Sequence, residues 1–153
     1  MTPKLRKLLI NTGLVLLLGT ALFGRLIYMN LRAPDPLLPG FTQYDAATFA
    51  AAQQGGRLIL ADVYATWCPT CLAQHHALES LLAENPYPDV VKFRVDFDTD
   101  KDFLTAHRVS TQSTILMFRG RQELSRSIGL TAPDDIRRQL ELTGQALDLS
   151  DLR

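Results

Sequence analysis

Cysteine is nearly absent: the chain of 153 residues holds two. Two thiols are too few for a disulfide scaffold or a four-thiolate zinc site. An excess of either charge is missing as well, with sixteen Lys plus Arg against sixteen Asp plus Glu. That balance conceals a segregation. Residues 1–32 contain Lys4, Arg6, Lys7, Arg25 and Arg32 and no acid, so they carry +5 and the remainder carries −5. An acidic body lacks the basic face that phosphate-backbone binding needs, so nucleic acid is not an expected partner. Repeats and low-complexity tracts are also lacking. Aromatic and β-branched residues recur throughout the body, which excludes disorder. The length makes a single domain the expectation.

What the chain does have is an apolar leader. Leu8–Gly24 is seventeen residues without a charge, and only Asn11, Thr12 and Thr20 are polar. A spanning helix takes about 17–25 such residues. The stretch extends through Leu26-Ile27-Tyr28-Met29 if Arg25 snorkels to the headgroups, with Tyr28 as an interfacial anchor. The bases at Lys4, Arg6 and Lys7 hold that end in the cytoplasm and send the body across the membrane. The competing reading is a cleaved signal peptide with Gly19-Thr20-Ala21 as its small-residue site. Phe23 and Arg25 make poor cleavage surroundings, so the uncleaved anchor is preferred. A buried core helix is disfavoured, because Leu14–Leu18 is apolar all round. Either leading interpretation puts the body in an oxidising space outside the cytoplasm.

Residues 33–44 read as a Pro-rich linker, with three prolines between Ala33 and Gly40. Asp45–Gln54 is an Ala-rich helix stopped by Gly55-Gly56. Leu58–Tyr64 is a nearly continuous apolar run, as in a strand buried on both faces. A helix follows over Pro69–Glu84, a strand over Val90–Asp96 and a short helix around Asp100–His107. Thr114–Phe118 and Glu123–Ile128 form a hairpin. A last helix begins at Thr131, whose hydroxyl is placed to cap it, with Asp134 at the capping-box spacing. Crossover helices between the early strands imply a parallel portion, and the hairpin adds an antiparallel edge.

The chemistry lies in Asp62-Val63-Tyr64-Ala65-Thr66-Trp67-Cys68-Pro69-Thr70-Cys71. A buried strand ends, an aromatic follows, and Cys-x-x-Cys opens a helix. Cys68 falls at the helix N-terminus, where free N–H groups and the positive dipole end favour a thiolate. Pro69 suits the first helical position, where its missing N–H would have no partner. Cys71 lies one turn inside and is better shielded. In this arrangement Cys68 forms a mixed disulfide with a partner protein and Cys71 resolves it. Asp62, on the buried strand, is expected to have a raised pKa and to accept the proton of Cys71.

The run Asp62…Trp67-Cys68-Pro69-Thr70-Cys71 resembles the thioredoxin active site, and the likeness extends over about Asp45 to Leu142. It looks most like membrane-anchored bacterial thioredoxins and the periplasmic C-terminal domain of the transmembrane disulfide reductase. The resemblance implies an α/β thioredoxin-like fold, a central mixed sheet flanked by helices, preceded here by one N-terminal transmembrane helix. The expected division is an anchor over 1–32, the linker over 33–44 and a thioredoxin-like domain over 45–153. Asp62 matches the family's buried acid, Cys68 its nucleophile and Cys71 its resolving thiol, the two cysteines forming the redox-active disulfide. Lys92 falls where many members carry a lysine near the acid. Trp67, Pro69, Thr70, Ser113 and Thr114 are the expected substrate-binding residues. One departure concerns Gln112-Ser113-Thr114, where Ser113 stands in place of the family's cis-proline. A cis bond before a non-proline residue costs about 2.5–4 kcal/mol, so a trans peptide is expected. Pro69-Thr70 also replaces the common Gly-Pro pair.

Other candidates receive plainer interpretations. His75 and His76 follow Cys71 at helical spacing and read as solvated or partly packed, not as thiolate tuners or metal ligands. Lys92 reads as a strand-edge surface lysine unless it accompanies Asp62. Asp96, Asp98, Asp100 and Asp102 alternate as in a calcium loop, but without its Gly and closing Glu they read as a solvated acidic loop. His107 has no evident partner. The expected activity is thiol–disulfide exchange with extracytoplasmic proteins through Cys68 and Cys71, in the reducing direction. It needs no resident cofactor or metal, and it is fed by an upstream membrane electron donor at a bacterial inner membrane, with the C-terminal domain in the periplasm. One alternative is a metal carrier holding Cu(I), or a dimer-bridging iron–sulfur site, on the same cysteines with help from His75. Another is a docking module with a structural disulfide.

Overall fold

The computed structural model describes residues 3–31 and 36–148, and the chain divides into two compact units, Met1–Pro34 and Asp35–Arg153. The first unit is one helix, α1 (Pro3–Leu31), of 29 residues. At 1.5 Å per residue it is about 44 Å long, against about 30 Å for a hydrocarbon core. Its window Ile10–Ile27 has a mean hydropathy of 1.7 and none of it is buried. The Thr20 hydroxyl donates back to Leu16 O and Leu17 O, so this polar group is satisfied within the helix. The helix is therefore long and apolar enough to cross a membrane. The side chain of Tyr28, Arg32 at the end of the expected anchor and residues 33–35 of the linker lie outside the described residues.

The second unit runs β1 (Phe41–Gln43), α2 (Ala46–Gln54), β2 (Leu58–Tyr64), α3 (Pro69–Glu84), β3 (Val90–Asp96), α4 (Lys101–Ala106), β4 (Thr114–Arg119), β5 (Gln122–Ile128) and α5 (Pro133–Asp148). The strands form one mixed sheet in the order β1-β3-β2-β4-β5. β1, β3 and β2 are parallel, whereas β4 runs antiparallel to β2 and β5 antiparallel to β4.

Period-two alternation sorts the strand residues between two cores. Leu60, Ile115 and Met117 pack with Leu78 and Leu81 of α3 and Ile136 and Leu140 of α5. Ile59, Ala61, Val63, Phe93, Val95, Leu116 and Phe118 pack on the other face with Phe49 of α2 and Phe103 of α4. Both faces are covered, which is why β2 reads as an apolar run interrupted only at Asp62. On the second face Phe49 meets Phe93, Phe103 and Phe118 at centroid distances of 5.4, 5.3 and 5.6 Å. His107 joins this cluster, 4.4 Å from Phe103 and 4.9 Å from Phe118, and so has the partners that the sequence did not reveal.

Local signals fix most boundaries. Asp45 caps α2, its carboxylate accepting from Ala47 N and Thr48 N. Gly120 turns the β4–β5 hairpin at φ +54, and a Cβ there would stand 3.1 Å from Gln53 O.

Two expectations are corrected. Phe41–Gln43, within the stretch 33–44 read as linker, is strand β1, paired in parallel with Lys92–Arg94. Its buried Phe41 draws it into the sheet. At α5 the first carbonyl is that of Ala132, which accepts from Ile136 N. Asp134 engages Arg137 at 2.8 Å instead of completing a box with Thr131.

Candidate functional site

The β2 strand ends at Tyr64, and four residues later Cys68 becomes the N-cap of α3. Its φ of −92° and ψ of 114° are the extended values an N-cap takes, and Pro69 follows at the first helical position. Cys68 Sγ accepts the Cys71 N–H at 3.2 Å. A sulfur thus takes the place usually held by a serine or aspartate oxygen, at the end where the helix dipole favours negative charge. Both cysteines are free thiols. They are buried, 4% exposed at Cys68 and 1% at Cys71. Burial, and next the hydrogen bond with Cys68, push the Cys71 thiol up to about 12.

Asp62 lies beneath the pair, on the β2 face covered by α3. It is fully buried, and burial lifts its carboxyl to about 7 against the opposing pull of Arg94. Its Oδ1 has no hydrogen-bond partner in the protein. The charges of Asp62 and Cys68 both bear on Cys71, so these groups face one another. A carboxyl at this value is half-protonated near neutrality and can both take and return a proton.

Trp67, Pro69 and Thr70 form an exposed rim beside the cysteines. The indole of Trp67 donates to Asp98 Oδ2 at 2.7 Å and stands edge-on to Phe97. Ser113 and Thr114 are buried, and their hydroxyls turn inward. Thr114 Oγ1 donates to Thr111 O at 2.6 Å, and Ser113 Oγ donates to Gln74 Oε1 at 3.3 Å. Ser113 sits at φ +59, and no cis peptide occurs among the described residues. Its N–H donates to Val63 O and its carbonyl accepts from Gly129 N, both at 2.8 Å. The loop before β4 is thereby stitched to the end of β2 and to the segment after β5.

Several members of this arrangement were not found in the sequence. Lys92 does not accompany Asp62. Its side chain is buried and its ammonium donates to Tyr87 O and Val90 O, and burial lowers its pKa. The residue in register with Asp62 is Arg94, two positions further along the same strand face. Arg94 is buried, donates from Nη2 to His75 Nδ1 at 2.7 Å and lies 4.5 Å above the Tyr64 ring. His75 is accordingly packed inside, whereas His76 is exposed beside Glu79. The ring that a two-cysteine-plus-histidine metal site would need is thus engaged by an arginine. Among the described residues no group of three His, Cys, Asp or Glu side chains is placed to hold a metal ion. Gln74 and the exposed Ile128 are the other unforeseen members, the first beneath the rim and the second at it.

A family model described as Thioredoxin matches residues 41–141. The thioredoxin of Chlamydia trachomatis is 34% identical over 79 residues, covering 52% of this chain and 76% of its own. Thioredoxin-2 of Saccharomyces cerevisiae is 27% identical over 92 residues, covering 60% of this chain and 83% of its own. Among solved structures, Trxlp from Edwardsiella tarda aligns with a TM-score of 0.59 at 44% identity, over 63% of this chain and 93% of that one. Thioredoxin NaTrxh from Nicotiana alata aligns with a TM-score of 0.62 at 21% identity, over 72% and 98%, which is a likeness of fold.

Proposed function

The chain belongs to the thioredoxin family and is a thiol–disulfide oxidoreductase, and on that premise we propose that Cys68 and Cys71 reduce disulfides of proteins outside the cytoplasm. The observation that carries the site assignment is Cys68 Sγ at the N-cap of α3, accepting the Cys71 N–H above a buried Asp62. Cys68 as thiolate attacks one sulfur of the substrate disulfide. A mixed disulfide forms and the other substrate sulfur leaves as thiolate. Cys71 then attacks Cys68 Sγ, releasing the second substrate thiol and closing the Cys68–Cys71 disulfide, so two electrons pass to the substrate.

Asp62 takes the proton of Cys71 in the second step. The thiol is by far the weaker acid of the two, so the proton moves as the new sulfur–sulfur bond forms and not before it. Once Cys68 is bound to substrate it no longer bears a thiolate charge against Cys71, which removes one of the causes that hold this thiol up. Trp67, Pro69 and Thr70 offer the exposed surface on which a substrate peptide lies, and Ser113 and Thr114 shape the loop across from it.

The leader supports the location. Helix α1 carries Lys4, Arg6 and Lys7 at its N-terminal end, Arg25 toward the other end, and no acid. It serves as a single-pass anchor in a bacterial inner membrane with the catalytic domain in the periplasm. An oxidising compartment then requires a membrane electron donor to return Cys68–Cys71 to the dithiol.

The test is trapping in intact cells with Cys71→Ser, which leaves the mixed disulfide unresolved. Periplasmic proteins held covalently through Cys68, and lost in the Cys68→Ser, Cys71→Ser double variant, are the expected catch. A catch of cytoplasmic proteins overturns the location, and an empty catch with full insulin reduction by Cys68→Ser overturns the site.

A further inference from the structure

Arg94 lies between two groups that compete for it. On one side is Asp62, its register partner across β2 and β3. On the other are His75 Nδ1, at 2.7 Å, and the face of Tyr64, at 4.5 Å. An arginine is charged at every accessible pH and only donates, so His75 Nδ1 is the unprotonated nitrogen and the ring proton sits on Nε2. A guanidinium beside a buried carboxylate would ordinarily close on it as a bidentate pair. Here Asp62 Oδ1 and Arg94 Nε are each left without a hydrogen bond, because the fork is turned so that Nη2 meets the histidine instead of the carboxylate.

We infer that His75, with Tyr64 beneath it, is a positioning residue that withholds Arg94 from Asp62, so that the carboxyl stays available to Cys71 instead of being locked in an ion pair. This rests on the proposed role of Asp62 as proton acceptor. Among the described residues, those on the Asp62 side of the sheet come from four elements besides its own. β2 contributes Tyr64, β3 contributes Arg94, and α3 contributes Cys71 and His75 with Cys68 at its cap. β4 brings the apolar Ile115, and α5 brings Ile136 and Leu140 to the same face. Lys92, also on this face, is committed to Tyr87 O and Val90 O. Burial is what raises the Asp62 carboxyl, and Arg94 is the charge that opposes it, so the placement of Arg94 sets how strong that opposition is. An opposite charge brought into contact lowers a carboxyl by about 1–3 pKa units.

The experiment follows the Asp62 carboxyl carbon by NMR across pH in the reduced, full-length protein in detergent. His75→Leu removes this acceptor and lets the Arg94 fork turn toward Asp62, so the midpoint falls and the proton affinity of Asp62 drops about tenfold or more. His75→Gln, which keeps an acceptor, stays close to wild type. Arg94→Met raises the midpoint, and in that background His75→Leu moves nothing further. A midpoint unmoved by His75→Leu, or an equal fall with and without Arg94, overturns the inference; if His75→Leu does not fold, His75→Ala is read in its place. Asp62→Asn turnover is measured alongside. If turnover ignores Asp62 while its titration answers to His75 as stated, the proton-acceptor role falls and the positioning stands. If turnover needs Asp62 and the titration ignores His75, only the positioning falls.

Discussion

Gln74 grips Ser113 at two points: its Oε1 accepts the serine hydroxyl at 3.3 Å and its Nε2 approaches the serine carbonyl at 3.4 Å. The same Nε2 donates to Leu130 O at 3.0 Å. Helix α3, which carries both cysteines, is thereby tied to the loop before β4 and to the segment leading into α5. A proline would fix this loop by its ring, at φ near −65°. Ser113 instead sits in the left-handed region at φ +59, and the fixing is done by hydrogen bonds.

Substitutions at Ser113 separate backbone from side chain. Ser113→Gly and Ser113→Ala both lose the hydroxyl, but only alanine keeps a Cβ in the left-handed region, which costs about 1–2 kcal/mol. Ser113→Gly is therefore the more stable of the two by about 1 kcal/mol in urea denaturation. Ser113→Pro fits neither the angle nor the N–H bond to Val63 O, and it loses at least about 3 kcal/mol. Wild-type stability in Ser113→Pro would show that the loop is free to rebuild.

Gln74→Leu is nearly volume-conserving but leaves Ser113 Oγ and Leu130 O without this partner, whereas Ser113 O keeps the Gly129 N–H. Each buried group left unpaired costs about 1–3 kcal/mol, and partial relaxation puts the expected total at about 2–4 kcal/mol. The loss of the tie between loop and α3 also slows insulin reduction. A variant within 0.5 kcal/mol of wild type, roughly the span of a neutral surface change, would mean the ties carry little.

Much of this fold is written in local signals, and the site is only half so. Asp45, Gly55 and Pro69 mark helix ends by chemistry that operates within a few residues, so those boundaries read directly from sequence. β1 escaped because three residues after a Pro-rich stretch have no periodicity, and only pairing with β3 makes them a strand. Lys92 and Arg94 alternate onto the same strand face, and the sequence offers no means of choosing between them. The parallel register of β2 on β3 makes the choice, setting Asp62 against Arg94 and Leu60 against Lys92. His75 reads as solvated or partly packed from sequence because Arg94 is nineteen residues away on another element.

The single tryptophan reports on the rim. Trp67 is 40% exposed and its indole is held by Asp98, itself at the surface. Asp98→Ala therefore costs stability no more than about 1 kcal/mol, as for other exposed contacts to a charge. The freed indole changes its fluorescence maximum and anisotropy, and KM for a protein disulfide rises several-fold with little change in kcat. A kcat loss equal to the KM change would instead place Asp98 in the chemistry.

Asp62 ties stability to pH, and the sign follows from the direction of its shift. The carboxyl is raised from 3.8 to about 7 in the folded protein. Below the unfolded value both states are protonated and the fold bears no penalty. As pH climbs from about 4 to about 7 the unfolded chain releases the proton first, so stability falls over that window and is level again above it. At about 1.4 kcal/mol per pKa unit the fall is at most about 4–5 kcal/mol. Asp62→Asn does not titrate, so its stability lacks this descent, and the difference between variant and wild type grows between pH 4 and pH 8. Urea midpoints measured on the reduced protein at intervals through that range give the comparison. A difference that stays flat would mean that the carboxyl gains its proton no more readily folded than unfolded, and Asp62 would then be ionised throughout and unfit to take one from Cys71.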